Sequence, residues 1–365
     1  MKKLLFATCC IAFLSGSLGA AAQKKSAAKN VLTQTLKGKS WSADNGNGTF
    51  TNPLFYDEFS DPDIIRVGED YYLAGTTMHS VPGLVVLHSK DLVNWEFSSY
   101  CFDRFDDSDD FNLRNGKEAY GQGIWAPAIR YHNGKFYIFS NINGHGLQVY
   151  ISDSAKGPWT HHKVNGDIYD LSVLFDEDGK IYAVHKYGNV TVTELKPDLS
   201  GPVEGSSKVV IPEGNAMGEG HHVYKINGMY YILSADYSPM GRMQCARSKS
   251  IWGPYETCVI SERESYGYAA GWSVGNMGIG RPLPEDGFNF QNNKPNGLNL
   301  GCATIHQGGI VQAPDGKWWG VSMQDFNAVG RTVCLSPITW VDGWPYFGLE
   351  KNLGRSPRTW FKPND

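Results

Sequence analysis

Five short turn motifs, each closed by an aromatic residue, recur along the chain and dictate its architecture. They are Arg66-Val-Gly-Glu-Asp-Tyr-Tyr72, Tyr131-His-Asn-Gly-Lys-Phe-Tyr137, Asp176-Glu-Asp-Gly-Lys-Ile-Tyr182, Lys225-Ile-Asn-Gly-Met-Tyr-Tyr231 and Ala313-Pro-Asp-Gly-Lys-Trp-Trp319. Each sets a Gly-containing or acidic turn between two apolar, β-rich runs, the pattern of a tight hairpin. A second signature follows in phase: Trp95 comes 23 residues after Tyr72, Trp159 22 after Tyr137 and Tyr255 24 after Tyr231. Ser152-Asp-Ser-Ala-Lys-Gly-Pro-Trp159 and Ser248-Lys-Ser-Ile-Trp-Gly-Pro-Tyr255 read as one element copied. Two repeats in the same phase predict an all-β, five-bladed β-propeller, in which four-stranded sheets stand around an axis.

Counting back from the closing aromatics finds a distinctive residue at nearly one offset. Trp125, Asp170 and Glu219 each lie twelve residues ahead of Tyr137, Tyr182 and Tyr231; Gln307 lies twelve ahead of Trp319, with His306 beside it. Asp61 lies eleven ahead of Tyr72, in a repeat whose turn is one residue shorter. Equivalent positions at the start of each innermost strand face the central channel, so three acids are expected to converge there. A strand start beside Ile64, Val173 or Val223 predicts partial burial, where an unpaired carboxylate is unfavourable, and clustered desolvated acids mark sites. Asp176, Glu177 and Asp178, by contrast, read as solvated turn residues.

Bulk properties narrow the partners. The 365 residues suffice for one propeller-sized domain, and 41% hydrophobic content with 13% aromatics and 42 Gly suits a turn-rich β protein rather than a disordered one. A net charge of −4 without basic patches points away from nucleic acid and toward a neutral polymer or small ligand. After the N-terminal stretch no apolar run is long enough to span a bilayer.

Met1-Lys2-Lys3, the apolar run Leu4 to Leu18 and Ala20-Ala21-Ala22 have the three regions of a secretory signal peptide. Cleavage before Gln23 is expected, with a secreted or periplasmic product; a lipid anchor on Cys9 or Cys10 would fall inside the apolar region. The expected organisation is therefore residues 1–22 as leader, 23–50 as linker or arm, 51–350 as propeller and 351–365 as tail. Export makes Cys101, Cys245, Cys258, Cys302 and Cys334 candidates for disulfides. Cys245 and Cys258 flank a hairpin turn at Gly253-Pro254 and read equally as a bridge or as two buried small residues. No cysteine or histidine spacing matches a zinc site.

Two long intervals between the closing aromatics mark insertions. Phe97 to Gly123 carries Asp103, Asp106, Asp107, Asp109 and Asp110 out of EF-hand order, so it reads as a solvated rim loop rather than a calcium site. Glu262 to Cys302 mixes Gly and Asn with Tyr266, Tyr268, Trp272 and Phe288, as binding rims do. Trp125 and Trp272 could each offer a face for stacking on a sugar ring, with buried packing as the alternative.

Three converging acids suit the cleavage of a glycosidic bond. One carboxylic acid protonates the leaving oxygen while a carboxylate activates water or attacks the sugar carbon, and a third raises the pKa of the acid by repulsion. From about Asn52 to Gly348 the chain resembles glycoside hydrolase family 43, five-bladed propeller enzymes acting on arabinose- and xylose-containing polysaccharides. Ser60-Asp-Pro-Asp-Ile64 is similar to the segment bearing that family's general base, which implies Asp61. Tyr169-Asp-Leu-Ser-Val-Leu-Phe175 is similar to the segment of the pKa-modulating aspartate, which implies Asp170. Gly218-Glu-Gly-His-His-Val-Tyr224 is similar to the segment of the general acid, which implies Glu219. Leu171 and His221 stand where the family usually has proline.

His306-Gln-Gly-Gly309 resembles the segment whose histidine lies near the channel centre, where some members hold a calcium ion or a water; His306 reads equally as a core histidine held by backbone groups. Gly330-Arg331 resembles the arginine that binds sugar hydroxyls. The resemblance requires no cofactor and no protein-bound metal for the reaction. Trp340-Val-Asp-Gly-Trp344-Pro345 is similar to the passage after which some relatives enter a β-sandwich domain; the sequence ends at Asp365, and a more open pocket is the expectation.

The resulting expectation is an exported, inverting, exo-acting glycosidase that releases terminal L-arabinofuranose or D-xylose from plant cell-wall glycans. Inversion implies carboxyls of Asp61 and Glu219 about 6.5–9.5 Å apart. The rivals are a retaining fructan or sucrose hydrolase, whose Asn-Asp-Pro-Asn-Gly segment is absent, and a non-catalytic sugar-binding propeller.

Overall fold

Apolar runs that follow each turn motif become strands because both of their faces are covered. Side chains alternate across a strand, and here neighbours in the second strand of a blade enter different cores. Leu73 packs between blades 5 and 1 while Ala74 packs between blades 1 and 2. Ile138 and Phe139 divide in the same way around blade 2, Ala183 and Val184 around blade 3, and Ile232 and Leu233 around blade 4. Each gap between blades thus holds its own apolar cluster.

The structure, a computed structural model, describes residues 42–76, 83–105, 108–119, 122–215, 217–236, 242–261, 307–325, 331–350 and 359–363. Within them lie five four-stranded antiparallel sheets, each with its strands in sequence order, and one two-stranded pair. This is the expected five-bladed β-propeller. Innermost strands are Ser60–Val67, Ile124–His132, Ser172–Phe175, Glu219–Ile226 and Ile310–Gln312. Outermost strands are Trp95–Phe102, Thr160–Lys163, Lys208–Ile211, Glu256–Val259 and Trp344–Phe347. Every turn motif joins the first two strands of a blade, as its composition predicts.

Among the described residues no blade borrows a strand from another, and the segment ahead of blade 1 is tied to blade 5. Asn52 accepts from the Leu335 N–H and donates to the Leu335 carbonyl, both at 2.9 Å. Leu54 N–H donates to the Val333 carbonyl and Phe59 N–H to that of Arg331. These bonds satisfy the part of strand Arg331–Val341 left uncovered by the outer strand, which pairs only with Ile338 to Val341. Outside the blades, Thr49–Thr51 pairs with Thr359–Phe361.

Buried polar ties also cross the ring beneath the channel. Asp63 of blade 1 bonds Arg130 at 2.5 Å and the Ile129 N–H at 2.9 Å in blade 2, and His222 of blade 4 at 3.1 Å. Arg130 goes on to Ser172 and the Val173 carbonyl of blade 3, and Ser172 accepts the Val223 N–H of blade 4. Tyr224 of blade 4 accepts the Ile310 N–H of blade 5.

Several expectations are corrected. Phe97 to Phe102 belongs to the outer strand of blade 1, so the first insertion begins later than its composition suggests. In that insertion Asp109 pairs with Arg114 and Asp110 with His145. Asp176 is not a solvated turn residue: it is buried, at 2.7 Å from Lys225 Nζ and 2.6 Å from Tyr230 Oη. Cys245 and Cys258 do face each other in register, but Cys245 is a free thiol whose burial pushes its pKa well up. Residues 1–41, with the leader-like stretch, and 262–306, with Trp272, Cys302 and His306, lie outside the described residues. Among the described residues no helix is long and apolar enough to cross a membrane.

Candidate active site

Three innermost strands begin with the same irregularity, and it decides which side chains reach the channel. Register breaks between Ser60 and Asp63, between Trp125 and Ala128, and between Glu219 and His222. One residue of each bulge takes a left-handed conformation: Asp61 (φ 50°), Ala126 (φ 38°) and Gly220 (φ 66°). Asp170 (φ 51°) and Gln307 (φ 46°) do so ahead of the inner strands of blades 3 and 5. Only glycine adopts this region without strain, so four of the five positions hold a side chain there against local preference. In blade 4 the glycine has a second use, since a Cβ on Gly220 would meet the Gln307 side chain at 2.4 Å.

This finding shifts the sequence count by one residue. Asp61 and Asp170 are the left-handed residues themselves, whereas Glu219 and Trp125 precede them and align with Ser60 and Tyr169. The carbonyls match Trp125 with Glu219: Ser140 Oγ donates to that of Trp125 at 2.8 Å, and Ser234 Oγ to that of Glu219 at 3.1 Å. The three acids still converge, because consecutive residues around a bulge can both turn inward.

Their contacts are mutual. Asp170 Oδ2 accepts the Gly220 N–H at 2.8 Å, so the aspartate holds the peptide that carries Glu219. Tyr169 Oη donates to Glu219 Oε2 at 3.0 Å. The Thr76 hydroxyl, accepting the Ala126 N–H at 2.8 Å, donates to Asp61 Oδ2. Arg331 Nη1 lies 3.9 Å from Asp61 Oδ1, with its side chain 31% exposed. Thr76, Asn141, Ser234 and Tyr169 were not singled out from sequence; a count anchored on the Gly220 turn would have exposed Tyr169 as the neighbour of Glu219.

Burial sets the charge of the group. Asp61 and Asp170 are only 9% and 6% exposed. Asp170 is pushed well above the usual carboxylate range by burial and by the nearby charges of Glu219 and Asp61, with the Gly220 N–H opposing the shift. Glu219 is raised by burial first; Asp61 adds to the shift while Tyr169 and Arg331 pull against it. Both carboxyls therefore retain a proton above the pH at which exposed acids lose theirs.

Beneath the acids a narrow pocket is lined by Asp61, Asp63, Asp170, His221, His222 and Gln307. Asp63 and His222 are engaged with each other, and His221 Nε2 bonds the Lys186 carbonyl at 2.6 Å. Among the described residues no group of His, Cys, Asp or Glu is placed to hold a metal ion. Trp125 is half-buried at the channel-facing position of blade 2, its Nε1 finding no acceptor among the described residues.

The model of glycosyl hydrolases family 43 matches residues 50–267. A β-xylosidase of Formosa agariphila is 29% identical over 94% of this chain, and a non-reducing end α-L-arabinofuranosidase of Bacteroides ovatus is 33% identical over 87% of it. The chain spans 58% and 56% of their lengths. Among solved structures, a bifunctional GH43-CE protein of Bacteroides eggerthii superposes with a TM-score of 0.70 at 33% identity, over 86% of this chain and 37% of that one.

Proposed function

The chain belongs to glycosyl hydrolases family 43, and from that premise we propose that it is an exo-acting glycosidase removing terminal β-D-xylose or α-L-arabinofuranose from arabinose- or xylose-containing glycans. Both activities are named among its relatives. The observation that carries the reading is the junction of Asp170, Gly220 and Glu219, where one buried aspartate grips the backbone of a glutamate whose pKa is raised.

Asp61 takes a proton from water as the water oxygen bonds to the anomeric carbon. Glu219 gives its proton to the glycosidic oxygen, which leaves with the electron pair of the broken C–O bond. Asp170 acts through Glu219: it anchors the Gly220 amide and tunes the acid. Arg331 limits charge build-up beside Asp61 and offers donors to sugar hydroxyls. Trp125 supplies an aromatic face. Attack by water on the face opposite the leaving group inverts the anomeric configuration.

Incubation with arabinoxylan, arabinan and xylo-oligosaccharides should release monosaccharide, and proton NMR of the first product should show the inverted anomer. Glu219→Gln should slow oligosaccharide cleavage by about 10²–10⁴-fold while sparing substrates with good leaving groups. Binding without any release would replace the proposal with a sugar-binding propeller, and a retained anomer would remove water from the attacking role.

A further inference from the structure

We infer that Tyr169 is a positioning residue that fixes which oxygen of Glu219 carries the transferable proton. The inference rests on the glycosidase reading and adds a residue to it. Tyr169 holds in blade 3 the place that Glu219 holds in blade 4, so the two side chains leave adjacent inner strands next to each other. The phenol reaches Glu219 Oε2 at 3.0 Å.

Its backbone is clamped on three sides. The Tyr169 carbonyl accepts the Lys186 N–H at 2.9 Å. The Asn141 side chain donates to the Ile168 carbonyl at 2.8 Å and accepts the Asp170 N–H at 3.0 Å, bracketing the tyrosine between its two neighbours. Tyr169 and Asp170 together therefore grip Glu219 at both ends, by its carboxyl and by the amide that follows it. Such a clamp has no need of a hydroxyl for packing, because the residue is 41% exposed.

The chemistry follows from donor and acceptor roles. Burial, with the charges of Glu219 and Asp170, holds the phenol above its ordinary pKa, so it stays an O–H donor wherever the acid titrates. An oxygen that accepts this bond is a poor place for the acid's own proton, which resides on Oε1 instead. When that proton passes to the leaving oxygen, the C–O electron pair goes with the aglycone and a negative charge appears on Glu219. The bond from Tyr169 then becomes charge-assisted and strengthens as transfer proceeds, which is the differential stabilisation a transition state requires.

The test is Tyr169→Phe in the full chain, which keeps the ring and deletes the donor. The expected loss in kcat/KM is of order ten- to a hundredfold on a xylo-oligosaccharide or arabino-oligosaccharide, and a few-fold at most on the dinitrophenyl glycoside. Removing a donor to the carboxylate raises the pKa of Glu219, so the alkaline limb of the pH profile should move to higher pH. Equal losses on both substrates with an unmoved limb would mean a merely structural tyrosine and overturn the assignment. Isotope-edited infrared titration of the Glu219 carboxyl, with Glu219→Gln as the blank, follows the same shift without substrate; an unshifted titration in the phenylalanine variant overturns it as well. A wild-type chain inert on every glycoside overturns the glycosidase reading itself, an outcome distinct from an active wild type with an unaltered variant.

Discussion

Asp63 and Asp170 are both buried carboxylates at the mouths of inner strands, and their surroundings shift their pKa in opposite directions. Burial works against ionisation of Asp63, yet Arg130 and then His222 beside it hold its carboxyl below the usual range. Asp170 meets the same desolvation with one peptide N–H and two like charges, and it rises instead. Depth in the protein does not decide ionisation; the company of the group does. Asp63 is a rivet joining blades 1, 2 and 4, while Asp170 sits where a proton is held ready. Among the described residues the structural acid has a cation in contact and the functional one does not.

That contrast is most exposed to test at Asp63. Asp63→Asn leaves Arg130, whose side chain is 13% exposed, without its counter-charge, and should lower stability by about 3–5 kcal/mol in urea denaturation. A fall of only a few tenths would mean that the Asp63 pairing is dispensable and the contrast wrong. Asp170→Asn should do the reverse. It keeps an acceptor for the Gly220 N–H and removes an ionisable group whose folded pKa is raised, so the melting temperature at pH 7 should stay level or rise. Activity should fall by about a hundredfold, the lower end of what proton transfer contributes.

The smallest effect is a difference in slope. A lowered folded pKa means that the contribution of Asp63 is present above its unfolded value of about 3.9 and is lost as pH falls through the folded value. For Asp170 the folded state binds the proton more tightly, so stability declines as pH rises from about 4 toward its raised folded value. Melting curves of wild type and the two variants, taken from acid to neutral pH, should therefore give difference plots of opposite sign. Parallel plots would place both carboxyls in the same charge state.

Much of this was legible in the sequence, for identifiable reasons. Hairpin turns and in-phase aromatics are local signals, so all five blades could be read from motifs a few residues long. Asp61, Asp170 and Glu219 could be found because repetition supplies a ruler. The ruler erred by one residue at Trp125 and Glu219 because the left-handed residue near each strand start has no constant letter, being Asp, Ala, Asp, Gly and Gln in the five blades. Asp63 and Asp176 were illegible for another reason: their partners lie 67, 159 and 49 residues away and become neighbours only when the ring closes. Tyr169 needed both kinds of information, the corrected offset and the adjacency of two blades.

The bulged strand starts carry an implication for how such a channel acquires new chemistry. Ala126 and Gln307 show that the ring imposes its left-handed twist even on residues with no chemical reason to accept it. The preceding places, occupied by Ser60, Trp125, Tyr169 and Glu219, make no such demand. Among them Trp125, which takes no part in the proton transfer, is the place to re-equip when a change of sugar preference is sought, with Tyr169, Glu219 and the left-handed hub left untouched.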